Sequence, residues 1–348
     1  MSVDPTATVR LGRGEVECTR MGLGTAPLGN LFELVSEEEA LETVVCAVRS
    51  GLRLVDTAPL YGHGIAERRV GRALGRLGVE CPADLVLATK VGRLLREGAP
   101  PDPTQWQDGN PIYAKTLDAE TLAVNPVFDF SADGVRRSLE ESLERAGRER
   151  FDIVHLHDPD DHFDQALHEA LPALEELRTQ GRIRAVSVGM NQAEMLVRFA
   201  EQAALDCVLL AGRYSLLDTS GSRELLPLCA ERGIGVLIGG VFNSGILADP
   251  SPESHFDYRR ARADVLARAE AMAEVCLRHD VALKAAAIQF PFANGAVTSV
   301  LVGARTRDEL EECLRLARTP LPAALWDELQ ECGLLDASVP VPGEGMVL

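Results

Sequence analysis

Eight short β-rich runs, each followed by a longer stretch of helical periodicity, leave few architectures open to this 348-residue chain. In order the runs are RMGLGTA, LRLVDTA, DLVLATKV, FDIVHLHD, IRAVSVGM, CVLLAGRY, GVLIGGVF and TSVLVGA. The helical patterns after them begin near Ser36, Ile65, Ser131, Phe163, Gln192, Ser222, Asp257 and Arg307. Strands that alternate with helices are joined by crossovers, so they lie parallel in their sheet. Eight such units close a (β/α)8 TIM barrel, an α/β fold of about 250 residues. The competing fold, an open doubly wound sheet, calls for a GxGxxG phosphate turn, and VDTAPLYGHG is not one.

The additional length needs its own places. TVRLGRGEVECTR alternates around a Gly-Arg-Gly turn and reads as an N-terminal β-hairpin that plugs one barrel end. The stretch from Gly92 to Phe130 is too long for an ordinary connection and reads as a functional loop after the third strand. A second insertion, NSGILADPSPESHFDY, follows the seventh strand, and Pro320 to Leu335 carries an extra C-terminal helix. No linker or internal repeat interrupts the pattern, so residues 1–348 read as a single domain.

Composition narrows the partners. A 46% hydrophobic chain of this length builds its core without disulfides, and eight scattered cysteines with no CxxC pair read as reduced thiols. A net charge of −18 offers no footprint for nucleic acid or an anionic membrane. No run of about 18 apolar residues and no apolar leader is present, so a cytoplasmic location is expected. The expected partner is a small molecule; the oligomeric state is not legible.

In a barrel, catalytic groups come from the C-terminal ends of strands and the loops beyond them. Asp56 ends the second strand, Tyr61 follows in its loop, Lys90 ends the third strand and His157 the fourth. A tyrosine ordinarily ionises near about pH 10, too high for a proton relay at neutral pH, and a neighbouring cation lowers that value. Lys90 supplies such a charge, Asp56 keeps a buried Lys90 charged, and His157 shares the substrate oxygen. The bland alternative for the four residues is a structural network of buried ion pairs.

These residues resemble the aldo-keto reductase family. DTAPLYGHGIAE is similar to its Asp-Thr-Ala-x-x-Tyr-Gly signature, LATKV to its lysine strand and FDIVHLHDPD to its histidine strand, and the order holds across nearly the whole chain. The resemblance implies that Tyr61 is the general acid/base, Asp56 and Lys90 its tuning pair, and His157 the residue that orients substrate. It implies a nicotinamide dinucleotide bound extended at the barrel mouth. LHDPDDH, VGMNQ and GGVFNSGIL are similar to members that oxidise L-fucose, L-galactose or D-threo-aldoses at C1, and to pyridoxal dehydrogenases. An oxidoreductase of that kind is expected; the alternatives are a pyridoxal 4-dehydrogenase, a general aldehyde or ketone reductase, and a cofactor-sensing regulatory subunit.

The implied cofactor residues are Gly189, Asn191, Gly239 and Phe242 toward the nicotinamide, and Gly303, Ala304, Arg305, Glu309 and Glu312 toward the adenosine. The chain departs from the family in carrying Gly189 and Met190 where a Ser-Asn pair is usual, and Ala211 where glutamine is usual. Glu309 stands where a cation usually meets the 2′-phosphate of NADP, and a carboxylate repels a phosphate dianion. The expectation is NAD as the preferred cofactor, with NADP weaker because Arg305 and Arg307 remain nearby.

Three further features have two readings each. Trp106 walls the substrate pocket or anchors its loop. Asp158 touches substrate hydroxyls or caps the turn that follows. HLHDPDDH is a metal cluster or, as preferred here, a strand end followed by a polar loop, since His155 and His157 point to the same side about 6 to 7 Å apart. No metal is expected.

Overall fold

The computed structural model describes residues 2–98 and 116–343. In chain order its strands are β1 (Thr8–Arg10), β2 (Glu17–Thr19), β3 (Met21–Gly24), β4 (Leu54–Asp56), β5 (Val86–Val91), β6 (Arg93–Glu97), β7 (Val124–Phe128), β8 (Ile153–His157), β9 (Ala185–Met190), β10 (Cys207–Ala211), β11 (Gly235–Gly239), β12 (His255–Phe256), β13 (Arg259–Arg260) and β14 (Val297–Gly303). The helices are α1 (Glu37–Arg49), α2 (Ile65–Leu77), α3 (Ala119–Leu122), α4 (Ala132–Ala146), α5 (Phe163–Gln165), α6 (Leu171–Thr179), α7 (Ala193–Gln202), α8 (Leu225–Arg232), α9 (Ala263–Arg278), α10 (Leu283–Gln289), α11 (Arg307–Arg318) and α12 (Ala323–Glu331).

Eight strands close into a parallel barrel in the order β3-β4-β5-β8-β9-β10-β11-β14, with β14 returning to β3. This is the (β/α)8 barrel expected from the alternation. Both faces of its strands are covered, and all six residues of β5 and of β9 are buried. That is why these runs read as nearly continuous apolar stretches. Helix starts follow local chemistry. Ser36 caps α1 in a reciprocal box with Glu39, Ser131 caps α4, and Thr306 accepts from the Glu309 amide to cap α11.

The N-terminal hairpin pairs β1 with β2 and closes the end of the barrel where the strands begin. Leu11 and Val16 join Leu54, Val86, Ile153 and Cys207 in one apolar cluster inside the barrel. Gly12 has a φ of 59°, and a Cβ there would lie 2.4 Å from the Asp206 carbonyl, so the turn needs glycine. The extra C-terminal helix is α12, pinned by Trp326, which is 1% exposed.

Two insertions differ from their sequence reading. The stretch after β5 is not structureless where it is described: β6 and β7 form an antiparallel ladder from Arg93↔Phe128 to Glu97↔Val124. Its polar, proline-rich middle concealed two short flanking strands; Trp106 lies outside the described residues. No helix starts at Asp257 either. Asp257 and Tyr258 have φ of 50° and 61°, two successive left-handed residues that turn β12 back onto β13, and α9 begins at Ala263. Paired positive φ values suit a tight hairpin and no helix. Arg213 holds that turn with two hydrogen bonds to the Asp257 carboxylate, at 2.7 and 2.9 Å.

Candidate active site

Asp56, Lys90 and His157 stand at the ends of three neighbouring strands, β4, β5 and β8. Asp56 pairs in register with Ala88, so Lys90 lies two residues further along and on the same side. The Lys90 ammonium is buried and donates to Asp56 Oδ1 at 2.5 Å and to the Thr57 carbonyl at 3.0 Å. Tyr61 comes from the tight turn after β4, closed by the Gly64 amide on the Pro59 carbonyl at 2.8 Å. Gly62 has a φ of 61°, and a Cβ there would fall 2.3 Å from the Gly29 carbonyl; its bare backbone lets this turn press against the β3–α1 loop.

The turn delivers the phenol ring to the pair. Lys90 Nζ is 4.8 Å from the Tyr61 ring centroid, and the His157 ring meets Tyr61 edge-on with centroids 6.2 Å apart. Burial alone would raise the Asp56 carboxyl, but the Lys90 ammonium, helped by His155, carries it below the ordinary carboxylate range. Burial, reinforced by the charges of Arg93 and Lys90, holds His157 well below its ordinary value, so the imidazole is neutral. A buried cation, a carboxylate that keeps it charged, a phenol and a neutral imidazole can move one proton to or from a bound oxygen.

A cavity of about 650 Å³ opens beside this cluster, within the range of small-molecule and cofactor sites. Asp56 and Tyr61 border it, and so do Arg305 and Glu309, so it reaches from the tetrad to the start of α11. Of the residues predicted for a cofactor, Asn191, Gly239, Phe242, Gly303, Arg305 and Glu309 line this cavity. Asn191 donates to the Ala211 carbonyl at 2.8 Å, which fixes its amide at the wall. Three others lie elsewhere. Gly189 is in the barrel interior beside His155 and accepts the Asp158 amide through its carbonyl at 3.0 Å. Ala304 is buried, and Glu312 is held by Lys284 at 2.5 Å outside the cavity.

Asp158 sits at a φ of 47°, and its carboxylate pairs with Arg93, a buried guanidinium whose Nε also points at the His157 carbonyl at 3.5 Å. The remaining members of HLHDPDDH diverge: His155 meets Ser187, Asp160 accepts from Gln192, and His162 packs against Phe128 and Phe130. Arg93 and the aromatic group of Phe32, His255 and Tyr258 at the cavity rim were missed in the sequence. Phe32 and His255 stack with centroids 4.8 Å apart although 222 residues intervene between them in the chain, and no local pattern announces such a pair.

The profile of the Aldo/keto reductase family matches residues 20–334, from β3 to just beyond α12. The chain belongs to this family. It is therefore an oxidoreductase by family, and its curated relatives include dehydrogenases. It is 38% identical to D-threo-aldose 1-dehydrogenase from a Pseudomonas species over 319 residues, 90% of this chain and 94% of that one. It is also 38% identical to pyridoxal 4-dehydrogenase from Microbacterium luteolum over 341 residues, 93% and 97% of the two chains. L-galactose dehydrogenase from Arabidopsis thaliana is 29% identical over 306 residues. Among solved structures, the glycerol dehydrogenase AKR11B4 from Gluconobacter oxydans superposes with a TM-score of 0.72 at 23% identity, covering 99% of both chains, a likeness of fold.

Proposed function

We propose that the protein is an NAD-preferring aldose 1-dehydrogenase that oxidises a sugar of the L-fucose, L-galactose or D-threo-aldose type to its lactone. The observation that carries the chemistry is the meeting of Asp56, Lys90, Tyr61 and His157 beside the cavity, which Asp56 and Tyr61 border. The substrate class is supported by the names of the relatives.

The residues present fit a nicotinamide dinucleotide. The cavity is long enough to join the tetrad to α11, and its walls at Gly239, Gly240 and Gly303 are backbone without side chains, which admits close approach. A bound nicotinamide would supply the hydride acceptor for C1. Every other step belongs to the chain. Lys90, kept charged by Asp56, favours the phenolate of Tyr61 over the phenol. Tyr61 takes the proton of the anomeric hydroxyl, and the neutral His157 hydrogen-bonds the same oxygen as it becomes the lactone carbonyl.

The preference for NAD rests on how α11 begins. Glu309 accepts from the Arg305 amide at 2.8 Å and from its guanidinium at 2.8 and 3.1 Å, and Glu33, which also lines the cavity, pairs with the same guanidinium. Arg305 is thus held by two carboxylates, and Arg307 is exposed and paired with Glu311 at 2.7 Å. A 2′-phosphate arriving here would meet acidic groups and arginines already engaged. Replacing Glu309 with glutamine removes a repulsion and one of the two carboxylates that hold Arg305, so NADP should gain on NAD by about tenfold in Kd ratio. Equal ratios in parent and variant would place the adenosine elsewhere.

The test of the substrate class is initial-rate cofactor reduction with L-fucose, L-galactose, D-arabinose, L-glucose and pyridoxal, each with NAD and with NADP. Sugar turnover with NAD is the expected result. Turnover of pyridoxal alone would keep the tetrad and replace the sugar.

A further inference from the structure

One titratable side chain inside the barrel acts on Asp56 yet has no step of its own in the proton transfer above. His155 lies two residues before His157 on β8 and is fully buried. Its register partners are Lys90 on β5 and Ser187 on β9, so three adjacent strands bring a lysine, a histidine and a serine to one level of the barrel. His155 Nδ1 lies 2.7 Å from Ser187 Oγ, and Nε2 lies 3.4 Å from Asp56 Oδ2. Lys90 occupies the other oxygen, Oδ1. Oδ2 and Nε2 fall outside strict hydrogen-bond geometry, and among the described residues neither has another partner, so they face one another.

The chemistry of the three groups settles the tautomer. A carboxylate oxygen only accepts, so the nitrogen turned toward it carries the proton, and Nδ1 accepts from the Ser187 hydroxyl. Burial outweighs the pull of Asp56 and holds the imidazole neutral. The charged groups that reach His155 are Asp56 on β4 and Lys90 on β5; Ser187 on β9 is uncharged, and His157 and Arg93 lie beyond toward the mouth.

We propose that His155 is a positioning residue of the active site: it turns Nε2–H toward the second oxygen of Asp56 and keeps the Asp56–Lys90 pair ionic, so that Lys90 remains a cation beside Tyr61. The inference rests on the roles given above to Tyr61 and Lys90. A buried ion pair persists only if its remaining lone pairs find donors. Without His155, no N–H among the described residues is turned toward Asp56 Oδ2, and the proton on Lys90 Nζ passes to Asp56 Oδ1. Both groups then become neutral, and the field that favours the Tyr61 phenolate is lost.

The test is ultraviolet titration of tyrosinate in the full chain without substrate, taking the Tyr61 contribution as the difference from Tyr61→Phe. His155→Leu should move the Tyr61 midpoint upward by about one pH unit, the scale on which a neighbouring charge acts. His155→Gln, which keeps an N–H donor, should hold it near the parent value. A low parent midpoint that His155→Leu leaves in place overturns this proposal alone. A parent midpoint in the ordinary tyrosine range overturns the role of Tyr61 and this proposal with it. Sugar turnover does not enter the titration, so failure of the substrate class is read separately. Nitrogen NMR of the unmutated chain needs no variant to fold: the expected signal is a neutral Nε2–H tautomer of His155 from about pH 5 to about 9. An imidazolium or an Nδ1–H tautomer would overturn it.

Discussion

Tyr61→Phe is expected to lower turnover by roughly 10²- to 10⁴-fold, the usual contribution of a positioned acid or base. The substitution removes one oxygen and leaves the ring, so its edge-on packing with His157 and its place over Lys90 persist. Thermal stability and cofactor affinity should therefore change little, which separates a catalytic loss from a folding loss. Single-turnover hydride transfer, followed by nicotinamide absorbance, is the direct readout. A variant within about tenfold of the parent would remove Tyr61 from the proton relay, because a general acid/base is worth at least about 10²-fold.

Lys90→Met should damage both stability and turnover. The side chain is 2% exposed, and its loss leaves the Asp56 carboxylate buried without its cation. Breaking such a pair costs about 3–5 kcal/mol. The pH dependence identifies the cause. In the parent, Asp56 titrates below its unfolded value, so its contribution to stability is present above that value and is lost as pH falls through the folded one. In the variant, burial acts on Asp56 without the lysine and raises the carboxyl instead, so the protonated form becomes the stable one. Stability from that group is then present at low pH and lost as pH rises through and above about 3.9, its unfolded value. The deficit relative to the parent, measured by urea unfolding, should be larger at about pH 7 than at about pH 4. A deficit independent of pH would mean that lost packing, and not the stranded carboxylate, is the cost.

What could be read in advance follows the range of the interactions involved. Capped helix starts are set within three or four residues, which is why Ser36, Ser131 and Arg307 marked α1, α4 and α11 closely. The insertion at Asp257 was misread because a two-residue turn between very short strands carries almost no periodic signal. Within the site, Asp56, Lys90 and His157 were legible because each ends a strand that the alternation had already located. His155 was visible as a neighbour of His157 on the same side of a strand, yet its partner Asp56 lies two barrel strands away.

The sequence by itself determined the barrel, its plug and its outer helix, since eight alternating units leave parallel closure as the way to bury every strand on both faces. It also determined which strand ends carry the reactive types. Only the tertiary structure decided how those groups act on one another. That Asp56 turns one oxygen to Lys90 and the other to His155, and that Glu309 and Glu33 grip Arg305 from α11 and the β3–α1 loop, depends on close contacts between distant segments. Coulomb and hydrogen-bond energies change steeply over an ångström or two in a buried site, and that distance is set by barrel closure and register rather than by any local run of residues.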